Sequence, residues 1–216
     1  MNSIPDRPKI YHITHLSNLS QILGQGRIWS DAKRIDLQVN CQLVGMSKIK
    51  RRRLETLPVK TYPDTTVGQY VPFYLCPRSI MLFILHCSDH PDLTYRDGQT
   101  PIVHLAADLR NTVEWARQNR KRWAFTTGNA GTAYTDFYSN LDDLGRIDWS
   151  AVAATNWRDP AVQECKQAEF LVHESFPWQL VERIGVIDKR MKLQVDAILK
   201  PATYQPPVSV ETTWYY

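Results

Sequence analysis

The stretch 71–86, VPFYLCPRSIMLFILH, sets a strand directly before a buried helix and so decides the class of fold. Val71 to Cys76 is rich in β-branched and aromatic residues and is bounded by prolines, the composition of a strand. Arg78 to His86 is apolar nearly all round, as a helix enclosed by other elements is. Its apolar run, Ile80 to Leu85, is far too short for a bilayer, which takes about 20 such residues. No membrane span is expected.

Working outward towards the N-terminus, Ile10 to Thr14 reads as a short strand with Ile10, His12 and Thr14 on one face and Tyr11 and Ile13 on the other. Ser17 then has the position of an N-cap for a helix carrying Leu19, Ile22 and Leu23, closed by Gly24 and Gly26. Ser30 to Thr66 keeps no clear period. It is polar, basic and punctuated by Pro58 and Pro63, a long and partly helical excursion of the kind that is usually functional or disordered.

Towards the C-terminus, Ile102 to Leu105 and Trp123 to Thr126 read as strands, with an amphipathic helix from Asp108 to Asn119 capped by Asp108. Gly128 to Gly131 turns the chain. The spacing of Tyr134, Phe137, Leu141 and Leu144 predicts a helix, and Ile147 to Trp157 a second one broken at Asp159-Pro160. Ala168–Val172, Ile184–Ile187 and Val208–Tyr215 are expected strands, separated by helical Trp178–Arg183 and Lys189–Leu199. Short strands mixed irregularly with helices indicate an α+β fold, not regular βαβ alternation.

At 216 residues the chain falls within the size of one domain, read as 1–216. Its 43% hydrophobic and 22% charged residues exclude a disordered, collagenous or coiled-coil chain. The four cysteines at 41, 76, 87 and 165 contain no CxxC pair, which argues against a zinc ribbon or a disulfide scaffold. The N-terminal MNSIPDRPKI lacks the apolar stretch of a secretory signal, so a cytoplasmic location is expected. The net charge is only +4, but its distribution is uneven. Lys48, Lys50, Arg51, Arg52 and Arg53 form one basic run and Arg117, Arg120, Lys121 and Arg122 another. Either alone reads as a solvated face; two together raise the case for a polyanionic partner.

The common enzyme signatures are missing. There is no GxxxxGK[ST], no HExxH and no GxSxG, and Gly24-Gln25-Gly26 ends a helix instead of opening one. His86 and His90 are four apart but lack a third ligand, so no metal is expected.

Three segments place polar groups beside strand or helix ends: Tyr11-His12-Ile13-Thr14-His15, Ile49-Lys50-Arg51-Arg52-Arg53 and Gln167-Ala168-Glu169-Phe170-Leu171-Val172. In the last, a carboxylate interrupts an apolar strand, which is costly unless the group is paired or used. An edge strand with Glu169 in water is the equal alternative on pattern alone.

Together these segments resemble the DarT family of bacterial DNA ADP-ribosyltransferase toxins. The resemblance is carried by Tyr-His-Ile-Thr-His at 11–15 with Asn18-Leu19, and by Ile-x-x-Arg-Arg at Ile49, Arg52 and Arg53. It continues with Val-Pro-Phe-Tyr-x-Cys-Pro-Arg-Ser-x-Met-Leu at 71–82, Ile147-Asp148-Trp149 and Gln167-Ala168-Glu169-Phe-Leu-Val, in the family's order over nearly the whole chain. It implies an ADP-ribosyltransferase fold, with a split, strongly curved β-core flanked by helices and NAD+ in the cleft. The implied activity is transfer of ADP-ribose from NAD+, as co-substrate, to a base in single-stranded DNA. Thymine in a short sequence context is the commonest acceptor, and related branches modify guanine. The implied partner is an antitoxin carrying a macrodomain, of the DarG type.

On this resemblance Glu169 is the catalytic carboxylate, hydrogen-bonding the ribose beside the bond that breaks. Arg53 is the second catalytic residue and also an NAD+ contact; Arg51 departs from the family's usual residue, so the assignment within Arg51–Arg53 can slip by one. His12, Thr14 and Asn18 are implied NAD+ contacts, with His12 as an internal hydrogen-bonder of the core the alternative. Tyr74 and Met81 are implied to line the nicotinamide pocket, although residues of these types are more often plain core. Arg78 supports that pocket or caps the helix after Pro77. The excursion 30–66 is implied to close over NAD+. The loop 151–166 is implied to recognise DNA through Asn156, Trp157, Arg158 and Lys166, with Trp157 packed on the core as the alternative. A protein or RNA acceptor stays open because Gln167 stands two residues before Glu169. A binding module without catalysis is disfavoured by the intact Glu169.

Overall fold

The computed structural model describes residues 3–132 and 134–216; residues 1, 2 and 133, which the one-domain reading also spans, lie outside the described residues. In chain order the strands are β1 (Lys9–His15), β2 (Arg27–Trp29), β3 (Pro58–Val59), β4 (Tyr62–Thr66), β5 (Tyr70–Tyr74) and β6 (Ile102–Asp108). They continue with β7 (Trp123–Thr126), β8 (Phe137–Tyr138), β9 (Glu169–His173), β10 (Ser175–Pro177), β11 (Arg183–Val186) and β12 (Val208–Val210). The helices are α1 (Leu19–Gln25), α2 (Asp31–Asp36), α3 (Ser47–Glu55), α4 (Ile80–Cys87), α5 (Leu109–Gln118), α6 (Trp149–Ala153), α7 (Pro160–Cys165) and α8 (Lys189–Leu199).

Eight strands form one sheet in the order β12-β11-β6-β1-β5-β9-β7-β8, antiparallel except for the β11–β12 pair. β1 runs beside β6 over seven residue pairs, from Lys9↔Asp108 to His15↔Ile102. β5 runs beside β9 over five, from Tyr70↔His173 to Tyr74↔Glu169. Between β1 and β5 a single pair remains, Tyr11↔Tyr74. The sheet is therefore split down its middle.

Pro72 explains why the ladder stops there. In an antiparallel strand the N–H and C=O of one residue point to the same neighbour, and proline has no N–H to give. Pro72 thus offers β1 a carbonyl without a donor, and the His12 ring takes that carbonyl through Nδ1 at 2.9 Å. A side chain spans the seam where backbone pairing is missing.

Strand alternation sorts the core as the pattern predicts. Ile10, Phe170 and Val172 enter the main apolar cluster with α1, α5 and α8, through Leu19, Val113 and Val195. Ile13 faces a second cluster built on Leu82, Leu85 and Ile102, and Leu171 a third with Val59, Val67 and Phe137. The helix starts follow the capping chemistry of short polar residues. Asp108 Oδ1 accepts from the amides of Arg110 and Asn111, and Ser79 Oγ from that of Leu82. Ser79, not Arg78, therefore caps α4. Gly26 closes α1 at φ 64°, a left-handed turn that costs glycine nothing.

Several expected elements differ. Ser17 sits inside a single 3-10 turn, Leu16–Asn18, whose cap is the His15 ring accepting from the Ser17 amide. The spacing from Tyr134 to Leu144 is not a helix, because Phe137 and Tyr138 pair with β7 and only Leu141–Arg146 coils, as 3-10. Ile147–Trp157 is helical only over Trp149–Ala153, started by Asp148. Trp178–Arg183 reduces to the 3-10 turn Trp178–Leu180. Val208–Tyr215 ends as a strand at Val210, because Thr212–Trp214 turns to seat Trp214 over Gly185. A Cβ at Gly185 would lie 2.4 Å from that indole.

His104 of β6 is wholly buried, donating from Nε2 to the Pro77 carbonyl at 2.9 Å, and burial pulls it from an ordinary 6.5 down to about 4. The unfolded chain binds this proton first, so the stability is present above pH 6.5 and is lost as the pH falls through about 4. The full contribution is about 3 kcal/mol. His12, also lowered by burial, acts in the same direction. Unfolding free energies measured from pH 7 to pH 4.5 are expected to fall less steeply in His104→Gln than in the wild type; equal slopes would refute the assignment.

Candidate active site

The cavity opens along the seam between β1 and β5 and has two lobes. One, of ≈ 740 Å³ including the space at its mouth, is lined by His12, Thr14, Asn18, Trp29, Arg34 and Gln42 among others. The other, of ≈ 940 Å³, is lined by Arg53, Tyr74, Met81, Asn129, Gln167 and Glu169 among others. His12, Ile13, Asp31, Val44, Lys50 and Pro72 border both. By strand parity Tyr11, Tyr74 and Glu169 share one face of the sheet and His12 belongs to the other. Tyr74, Glu169 and His12 meet around one cavity only because the sheet is split.

Glu169 is the first residue of β9, which lies between β5 and β7, and is 3% exposed. The edge-strand alternative is thereby overturned. Its carboxylate accepts from three strong donors, Arg53 Nη1 to Oε1 at 3.2 Å, Arg53 Nη2 to Oε2 at 2.6 Å and the Ala130 amide to Oε1 at 3.1 Å, which leaves acceptor capacity on Oε2. A bidentate guanidinium fixes both the position and the plane of a carboxylate. Burial works against the Arg53 charge, but Glu169, by its charge and its hydrogen bonds, carries the guanidinium above its ordinary value. Burial first, then the Glu169 charge, pushes the Tyr74 hydroxyl up, so it stands neutral beside the pair.

The geometry of α3 selects among the three arginines. Ile49, Lys50 and Arg53 line the cavity, whereas Arg51 lies outside on Glu55 at 3.0 Å and Arg52 is exposed. Residues three apart share a helix face, so Lys50 points the same way as Arg53. Lys50 Nζ donates to both Asp31 oxygens at 3.0 and 3.1 Å. α3 itself is seated on Gly68, where a Cβ would lie 2.7 Å from Leu54 Cδ2 and 2.8 Å from Leu54 Cα. Gly68→Ala must therefore lift the helix that carries Arg53. It is expected to cost roughly 1–3 kcal/mol and about tenfold in turnover at saturating substrate. A variant with wild-type melting and turnover would show that α3 is not held this way.

The other expected residues fall into three groups. His12, Thr14, Tyr74 and Met81 line the cavity. Because Nδ1 of His12 donates to Pro72, and burial holds the ring neutral, Nε2 is left as an acceptor. Asn18 borders the first lobe, but its amide is occupied. It donates to Thr14 Oγ1 and to the Gln42 carbonyl at 3.0 Å each and accepts from the Gln42 amide at 2.7 Å, pinning the excursion to β1. On the loop before β9, Asn156 and Arg158 are exposed, and Trp157 is half-buried against Phe83 with ring centroids 4.9 Å apart. Lys166 is a correction. It is 3% exposed, with Nζ on the Val152 carbonyl at 2.8 Å and the Cys76 thiol at 3.5 Å, and does not face a solvent-borne ligand.

Asp31, Lys50, Asn129 and the Ala130 amide were given no place in the site by the sequence reading, although Lys50 stood in the basic run. Asn129 Nδ2 donates to Gln167 Oε1 at 3.0 Å and its Oδ1 accepts from the Gly131 amide at 2.7 Å, folding the turn after β7 against Glu169. The Gly128–Gly131 turn signal was visible, but its position beside Glu169 was not. Among the described residues no group of three or more His, Cys, Asp or Glu is placed to share a metal ion. Nor is any helix among them long and apolar enough to cross a membrane.

A family model described as ssDNA thymidine ADP-ribosyltransferase, DarT, matches residues 11–216. A DNA ADP-ribosyl transferase of Thermus aquaticus is 41% identical over 209 residues, covering 96% of this chain and 88% of the relative. The structure of Thermus sp. 2.9 DarT in complex with ADP-ribosylated ssDNA has a TM-score of 0.89 at 32% identity and covers 100% of both chains. The same Thermus protein in complex with NAD+ gives 0.80 at 32% identity, over 99% of this chain and 100% of the other. With the match running over nearly all of a sheet split at its centre and a carboxylate gripped by an arginine at the seam, the chain belongs to the DarT family of single-stranded-DNA thymidine ADP-ribosyltransferases.

Proposed function

We propose that this protein cleaves NAD+ at the nicotinamide–ribose bond and transfers the ADP-ribose to thymine in single-stranded DNA. The observation that carries this reading is the bidentate Arg53–Glu169 pair on the wall of a cavity whose two lobes share lining residues such as His12, Lys50 and Pro72. NAD+ is itself two nucleotides joined by a pyrophosphate. The lobe holding Tyr74, Met81 and Glu169 takes the nicotinamide riboside, the lobe holding Thr14 and Asn18 takes the adenosine, and Lys50, which borders both, stands at their junction for the phosphates, with Arg53 one helical turn on in the nicotinamide lobe. The excursion 30–66 forms one wall, held by Asn18.

Loss of neutral nicotinamide leaves positive charge on the ribose carbon, as in glycoside hydrolysis. Glu169, fixed beside that ribose and accepting from its 2-hydroxyl, stabilises this charge more than it stabilises bound NAD+. The thymine ring nitrogen then bonds to the ribose carbon and its proton leaves to solvent, so the products are ADP-ribosyl-thymine, nicotinamide and a proton. The Arg53 cation lowers the cost of that deprotonation. The acceptor base must be unpaired or extruded, because its reactive nitrogen is buried in a base pair. Asn156, Trp157 and Arg158 supply the DNA-facing side. In this reading the protein is a cytoplasmic toxin, and a macrodomain antitoxin reverses the modification.

Mass spectrometry of short single-stranded oligonucleotides incubated with enzyme and NAD+ tests this. A gain of one ADP-ribose is expected that disappears when thymine is omitted. Loss with guanine instead would replace the acceptor. Consumption of NAD+ with no DNA adduct would overturn the DNA reading in favour of a protein or RNA acceptor.

A further inference from the structure

We infer that Phe83, Trp157 and Tyr216, with Arg78, form a stacking platform for an unpaired base flanking the acceptor, and so set the sequence context of modification; this rests on the DNA reading above. The three aromatic rings converge from distant parts of the chain. Phe83 lies on α4, Trp157 on the irregular loop between α6 and α7, and Tyr216 beyond β12. Ring centroids are 4.9 Å apart for Phe83–Trp157, 5.1 Å for Phe83–Tyr216 and 6.4 Å for Trp157–Tyr216. All three side chains are half-buried, so each keeps ring surface open to solvent.

The platform adjoins the cavity through α4. Met81 and Ile84, on either side of Phe83 along α4, line the lobe that holds Glu169. A strand whose acceptor base enters that lobe must carry its neighbouring nucleotide past the outer face of α4. The chemistry there suits it: every base has a π-face, and aromatic side chains on single-strand binders exploit that.

Arg78 adds the charge. Its guanidinium lies 4.2 Å from the Tyr216 ring centroid, and its Nε is buried without a hydrogen-bond partner among the described residues. The Tyr216 hydroxyl donates to the Arg78 backbone carbonyl at 3.0 Å, which anchors the ring beside that guanidinium. The exposed Arg158 follows Trp157 directly. Two cations beside three rings match a base and the phosphates on its two sides.

Oligonucleotides with one acceptor and a single abasic nucleotide at each flanking position in turn test the assignment. In the wild type one flanking position is expected to cost about tenfold in kcat/KM when its base is removed, the size of one base–aromatic stack. In Trp157→Leu and Phe83→Leu that penalty is expected to vanish, while Trp157→Phe retains it. Melting curves and NAD+ affinity verify that each variant is folded. An equal abasic penalty in the wild type and Trp157→Leu, or no sensitive position at all, would overturn the platform while leaving the activity standing. Absence of any modified oligonucleotide with the wild type would instead bring down the functional reading on which it rests.

Discussion

Glu169→Gln is expected to reduce ADP-ribosyl transfer by roughly three orders of magnitude, since a preorganised charge aimed at the transition state is commonly the largest single contribution to catalysis. The substitution is nearly isosteric. The glutamine carbonyl can still accept from the Ala130 amide, which lies 3.1 Å from Oε1. What disappears is the negative charge beside the ribose and one of the two oxygens that accept from Arg53. Single-turnover rates with NAD+ and a thymine oligonucleotide should collapse while NAD+ affinity changes little, because the carboxylate acts on a charge that bound NAD+ has not yet developed at that carbon. Stability should fall by about 1–3 kcal/mol, as expected where a hydrogen-bonded charge is left with a weaker partner. Transfer within tenfold of the wild type would remove Glu169 from the mechanism.

Arg53 carries the second large effect, and here stability and activity should separate between two variants. Arg53→Met leaves the Glu169 carboxylate, 3% exposed, with the Ala130 amide as its remaining donor of those described above. Breaking a buried pair from one side is far more costly than never having built it, so roughly 3 kcal/mol is expected from urea unfolding, with loss of transfer. Arg53→Lys keeps the charge but not the fork. An ammonium cannot present two parallel N–H groups to both oxygens, as Nη1 and Nη2 do at 3.2 and 2.6 Å. It should therefore recover most of the stability yet remain about a hundredfold slow, because the carboxylate is no longer held in one plane. If lysine restored full transfer, the fork would be a structural convenience and no more.

How far the sequence could be read follows from the range of the interactions involved. Local signals served well: Asp108 as a cap, Trp123–Thr126 as a strand and Gly26 as a helix stop need only a few neighbouring residues. The errors lie where a local pattern competes with a distant partner. Phe137 fits a helical period, but β7 offers it a strand to pair with. Trp214 continues an apolar alternation, but the bare face of Gly185 captures its ring. The site shows the same division. Glu169 stood out as a carboxylate in an apolar strand, and the motif pointed to the arginine run. That Glu169 is buried, and that Arg53 rather than Arg51 or Arg52 reaches it, depends on a pairing 116 residues apart in the chain. Lys166 was misread because a lysine just before β9 looks like a surface cation. Nothing local announces the Val152 carbonyl that draws it inside.

The single rung at Tyr11 and Tyr74 makes two half-sheets of one. Successive rungs are what lock neighbouring strands against sliding and rotation, and across this seam the restraint falls to the His12 ring, to side-chain packing such as Ile10 with Val71 and Phe73, and to whatever fills the gap. A dinucleotide touching Thr14 on one side and Glu169 on the other is then a brace as well as a substrate. The rigidity that holds the reacting atoms in line is borrowed from the molecule being consumed.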